Sequence, residues 1–189
     1  MKKLTLVLGA LVMGFILTSC GNNKKEAVIN AFNTFFDQEV NALNAVDNAD
    51  AFLEFLTASD ERFTAFYTQM DKDYPINEDD QLIGFSKEDS DAAMKVYNDR
   101  LDAFMSLQEA KGESLFEPYI AKLEDVVNGL ADDIMNDVEP ADDVVDQILA
   151  AYDDIDKYAD LGTEAQAERF TDIDELVRII FGLDEEEEE

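Results

Sequence analysis

The chain has 189 residues and a formal charge of −31, with 45 acidic against 14 basic side chains, one cysteine and neither histidine nor tryptophan. The missing imidazole excludes a Ser-His-Asp triad and the Glu-x-x-His di-iron site of helix bundles, and a lone thiol leaves no Cys/His zinc set. The acidic excess disfavours nucleic acid and anionic membrane surfaces, which lysine and arginine recognise, whereas 47% hydrophobic residues in periodic array argue against a disordered chain.

The N-terminus reads as a secretory signal: Lys2 and Lys3, an apolar run from Leu4 to Leu17, then small Thr18 and Ser19 before Cys20. As a helix the run would reach only ~21 Å, short of a ~30 Å hydrocarbon core. Leu17-Thr18-Ser19-Cys20 resembles the lipobox of bacterial lipoproteins. The resemblance ends at Gly21 and implies nothing about the downstream fold. It implies cleavage before Cys20 and lipidation of that cysteine with several acyl chains. More than one chain gives stable anchoring without a spanning helix. Gly21 in place of an aspartate implies the outer membrane, with the domain facing the periplasm or the cell surface. The expected segments are a signal peptide over 1–19, a lipidated cysteine and tether over 20–26, one helical domain over 27–183 and a disordered acidic tail over 184–189.

Helical spacing dominates the rest. A first helix is predicted over 25–46, with Ile29, Phe32, Phe35, Phe36, Val40 and Leu43 on one stripe. Asp47, Asn48 and Asp50 offer caps for a second, striped by Phe52, Leu53, Leu56, Phe63, Phe66, Tyr67 and Met70. Residues 71–85 read as a connector, because Tyr74-Pro75 and Gly84 interrupt the pattern. Ser86 caps a third helix that buries Ala93, Met94, Tyr97, Leu101, Phe104 and Met105 and ends before Gly112. Ser114 and Glu117 match a capping box for a fourth, burying Phe116 through Ile134 at helical intervals. Pro140 suits the first turn of a fifth helix, striped by Val144, Val145, Ile148, Leu149, Tyr152 and Ile155. Thr163 and Gln166 cap a sixth, striped by Ile173, Leu176, Val177, Ile180 and Phe181. The expected fold is all-α, an antiparallel bundle of about six amphipathic helices.

Three sites stand out. No basic residue occurs between Lys122 and Lys157, and that window holds Asp132, Asp133, Asp137, Asp142, Asp143, Asp146, Asp153 and Asp154. Such a field steers and holds a basic partner. Phe35 and Phe55 sit off the tightest stripes and mark a candidate apolar groove. Asp71, Asp73, Glu78, Asp79 and Asp80 in the connector supply oxygen ligands of the kind calcium takes, although no EF-hand loop is in register.

With Cys20 lipidated and histidine absent, no catalytic role and no cofactor is expected. The leading expectation is an anchored, acidic helical module that binds a basic protein, as adaptor, scaffold or inhibitor. The second is a carrier of an apolar ligand between the aromatic-rich N-terminal helices, and an enzyme ranks last. Expected partners are the membrane, through the N-terminal lipid, a basic protein and a divalent cation, but not nucleic acid.

Overall fold

The computed structural model describes residues 22–78 and 81–183. The segments expected as a signal peptide over 1–19 and an acidic tail over 184–189, together with Cys20, Asp79 and Asp80, lie outside the described residues. The described chain is all-α: α1 (Asn22–Asn44), α2 (Ala49–Asp73), α3 (Lys87–Met135), α4 (Val144–Tyr158), a single 3₁₀ turn (Ala159–Leu161) and α5 (Glu164–Phe181). No described helix is long and apolar enough to cross a membrane.

The break between α1 and α2 is real and has a local cause. The Asn48 side chain accepts the Ala51 N–H at 2.9 Å, satisfying one of the orphan donors at the start of α2. The connector after α2 folds back through an isolated antiparallel bridge between Ile76 and Leu82. Gly84 turns it with φ +85°, a conformation that suits glycine. Ser86 then caps α3 by accepting the Asp89 N–H. Thr163 and Gln166 form the expected reciprocal capping box at α5.

The main correction concerns the third and fourth predicted helices, which are one. The 49-residue α3 runs straight through Gly112, Ser114 and Pro118. At 1.5 Å per residue it spans about 73 Å. Ser114 caps nothing, because Glu117 is held from outside: Gln166 Nε2 donates to it at 3.1 Å and Arg169 Nη1 at 2.6 Å. Pro118 removes one helical hydrogen bond, a change that costs about 3 kcal/mol in a helix interior. It lies on the exposed face, where water reaches the freed carbonyl. Packing on the other face, through Phe104, Phe116, Ile120 and Leu123, offsets that cost. The fifth predicted helix also starts later, since Pro140 lies in the loop and α4 begins at Val144.

The other helices lie along this spine in two groups. Lys25 pairs with Asp89 at 3.1 Å, Phe32 lies 5.2 Å from Tyr97, and Arg100 bonds Asn33 and Asp37, so α1 runs parallel to the first half of α3. α2 returns antiparallel, with Tyr67 beside Tyr97 and Phe55 beside Phe104. On the second half α4 is antiparallel to α3: Tyr158 lies 4.7 Å from Tyr119, and Lys122 pairs with Asp154 at 3.2 Å. α5 again runs parallel, carrying Arg169 to Glu117 and Glu124.

The two groups meet at Gly112. A Cβ there would stand 2.9 Å from the Leu161 carbonyl oxygen and 3.2 Å from the Phe52 ring. Gly112→Ala should therefore destabilise by about 1–3 kcal/mol through overpacking. Gly129 lies in the same helix with nothing within 4 Å of a Cβ. Gly129→Ala should instead stabilise by about 1 kcal/mol through helix propensity. Urea unfolding midpoints of the two variants check the opposite signs.

Candidate functional site

The end of the molecule built by the C-terminus of α3, the turn into α4 and the C-terminus of α5 gathers most of the acidic residues singled out above. Asp132 and Asp133 lie in the last turn of α3, Asp137 in the turn, Asp142 and Asp143 before α4, and Asp146 in its first turn. The turn is fixed by backbone bonds. Val138 N–H donates to the Asp133 carbonyl at 2.8 Å, and Asn136 Nδ2 caps the Asp132 carbonyl at 2.7 Å. Asp137 sits in the left-handed region with φ +53°, an unusual choice for a residue bearing a Cβ.

The electrostatics at this end are unfavourable for the isolated chain. The last turn of α3 holds no basic residue, so aspartates face the negative end of the helix dipole. α5 contributes Arg178 in its own last turn. Asp146, by contrast, sits at the positive end of α4, where a carboxylate is stabilised.

The same end exposes apolar side chains that the stripes assign to the core. Ile134 is 49% exposed and Phe181 42%, and Val145 and Leu149 also face solvent. Met135, Val138, Ile179 and Leu183 join them, so most of the exposed large hydrophobic residues among the described residues lie at this one end. Helix α3 outruns the cover provided by α4 and α5, which leaves the final turns without a packing partner. Met105 and Tyr67 are the other expected core residues found exposed.

Asp153 and Asp154 do not belong to this surface. They lie two turns further along α4, where Asp154 is paired with Lys122.

Phe35 and Phe55 form no groove. Both are buried in the core. Phe35 stacks on Phe66 at 4.0 Å and meets Phe63 edge-on at 4.7 Å. Phe55 stacks on Phe52 and lies under the Arg62 guanidinium. In the connector, Asp73 accepts a bond from Gln69, and no three potential ligands among the described residues converge as a metal site. Asp79 and Asp80, which would complete the candidate set with Asp71 and Asp73, lie outside the described residues.

Sequence reading missed the polar pairings that hold the helices in register. Glu39 is 1% exposed and accepts hydrogen bonds from Ser59 at 2.7 Å and from Arg62 at 2.5 and 3.0 Å. Its signal was a carboxylate on the stripe Phe32, Phe36, Glu39, Leu43, matched by Ser59 and Arg62 on the facing helix. At the junction of the two groups, Lys157 pairs with Asp50 at 2.8 Å and Tyr158 donates to Asp50 at 2.9 Å. Hydrogen bonds from Lys157 and Tyr158 hold the Asp50 carboxyl below its usual range. The Arg169 and Gln166 hydrogen bonds do the same for Glu117. These carboxylates are engaged in structure, whereas those at the acidic end lack basic neighbours on α3 and α4.

Relief of repulsion should therefore be measurable. Asp132→Asn with Asp133→Asn should raise the melting temperature by about 1–3 °C in ~10 mM salt, and the gain should vanish near ~1 M salt. Asp146→Asn should lower it under the same low-salt conditions. Thermal melts across a salt series check both signs.

No family model, no curated protein and no solved structure matches the chain.

Proposed function

We propose that this is a lipid-anchored extracytoplasmic protein of the outer membrane whose helical domain is a non-catalytic binding module for a basic protein, acting as adaptor, scaffold or inhibitor. The observation that carries the reading is the acidic end itself. Aspartates are concentrated against the negative pole of α3 and interleaved with exposed Ile134, Met135 and Val138, at a cost in stability that the fold does not need. An apolar centre with charged surroundings is the composition of a protein interface, and the negative field accelerates encounter with a positive partner.

The lipoprotein resemblance gives this end a place. Anchoring at Cys20 would put the start of α1 beside the membrane. Because α1 runs parallel to α3, the acidic end would then lie at the far end of a spine about 73 Å long. The binding surface would be held clear of the anionic headgroups that repel it.

Two experiments test the two halves of the reading. Cells fed an alkyne-tagged fatty acid should label the wild-type protein and not Cys20→Ser, which should move to the soluble fraction. Equal labelling, or an unlabelled wild type, would refute the anchor. For the partner, a photo-crosslinking amino acid is placed at Val145 and, as control, at Ile76 near the opposite end. Val145 should give an adduct with a basic protein that Ile76 does not. Combined Asp142→Lys, Asp143→Lys and Asp146→Lys should abolish it while the protein remains folded by circular dichroism. An adduct indifferent to charge reversal, or none from Val145, sinks the basic-partner reading.

A further inference from the structure

A groove runs between α2 and α3 at the middle of the molecule. Two cavities of about 540 Å³ and 410 Å³ share Leu56, Met105 and Gln108 and so form one channel. Along α2 it extends from Phe52 to Tyr67, about 22 Å at 1.5 Å per residue. The 3₁₀ turn at Leu161 stops one end. Its floor is apolar, with Phe52, Leu56, Phe63 and Phe104. Met105 is 52% exposed and Tyr67 46%, so the channel is open to solvent along its length.

The charge around this floor has one sign. Asp60 from α2, Asp102 and Glu109 from α3 and Asp160 from the 3₁₀ turn line the channel, and all four are exposed. No lysine or arginine lines either cavity. Arg62 on α2 and Arg100 on α3 pair instead with Glu39 and Asp37 of α1. None of the four carboxylates forms an ion pair among the described residues. These arginines are spent on the α1 side, and the groove keeps acids alone.

We infer that this groove receives an amphipathic helix of a partner protein, its apolar stripe on the floor and its lysines or arginines against the four carboxylates. A channel this long and open does not enclose a small molecule, whose sites bury most of the ligand surface. Its length matches about four turns, or ~15 residues, of helix. Helices laid in grooves are held through apolar anchors at i, i+3, i+4 and i+7. Asp102 and Glu109 stand seven residues apart on one face of α3, and so suit bases seven apart on a helix lying alongside. A second copy of the chain is a poor occupant, because 45 acids against 14 bases repel their own kind. The groove is separate from the surface proposed above. Met105 stands about 45 Å along α3 from Met135, and either site can exist without the other.

The probe is a synthetic helix of ~15 leucines and lysines with the leucines on one face. One control holds the same residues in an order without an apolar face, and another replaces lysine by glutamate. The protein is labelled with ¹³C-methyl methionine, so that Met105 reports from the groove. The amphipathic probe should shift Met105 saturably at ~0.15 M salt, about tenfold or more tightly than the rearranged peptide, and the glutamate peptide should not shift it. Asp102→Lys with Glu109→Lys should weaken binding about tenfold or more. Combined Asp142→Lys, Asp143→Lys and Asp146→Lys should leave the Met105 shift in place. No saturable Met105 shift, an equal one from either control, or one indifferent to reversal at 102 and 109 overturns the groove. A Met105 shift lost only on reversal at the acidic end overturns it too, since the probe then acts from there. The three peptides on wild type decide even where a reversed variant is unfolded by circular dichroism.

Discussion

The structure depends on the continuity of α3. Every other helix is placed by contacts with this one element, and the two groups of helices share it without any other long connection. A break at Gly112 or Pro118 would free the two groups to turn about each other. Continuity holds because the helix is gripped on both sides of those residues. Gly112 lets the Leu161 backbone and the Phe52 ring come within contact distance. Glu117 and Glu124 engage Arg169 just beyond. Gly162 does the reciprocal service, since a Cβ there would stand 2.8 Å from the Phe116 ring. Gly112, which reads as a helix end in sequence, and Gly162 are sites where backbone must approach backbone or ring.

Charge is distributed by the same logic. At the joint and within the core, acids are matched: Asp50 with Lys157, Glu39 with Arg62, Glu117 with Arg169. The buried Glu39 pair fixes register more than it adds stability, because removing either partner alone leaves a costly uncompensated group. Beyond Lys122, α3 has no basic residue left to share. The acids there accumulate where the packing also runs out. Scarcity of base and scarcity of cover coincide at one end, and the proposed docking surface rests on that coincidence.

Much of the helical layout was legible from the periodicity and the caps. Asn48, Ser86 and the Thr163–Gln166 pair act where their side chains predicted, because capping is a local property of a few residues. The Ser114–Glu117 signal failed because distant residues, Gln166 and Arg169, outbid the local bond for Glu117. Stripes predicted which faces are apolar but not where the cover ends, so Ile134 and Phe181 were misjudged as core. Phe35 and Phe55 were misjudged in the other direction, since a wide aromatic face can be enclosed when three helices meet over it. The acidic window was visible as composition.

The two ends of the spine thus carry opposite chemistry. One is acidic, exposed and partly apolar, and is suited to a macromolecule. The other is aromatic and apolar, with Phe32, Phe66, Met70 and Tyr97 lining one cavity. α3 is common to both, contributing Met94 and Tyr97 to the cavity and Asp132 and Asp133 to the acidic end. The cavity also rests on the end of α2, whose start carries Asp50 and so the ion pair at the joint. Lys157, the partner of Asp50, belongs to the last turn of α4. The two ends are therefore joined twice, along α3 and through the pairing of Asp50 on α2 with Lys157 on α4 at the joint.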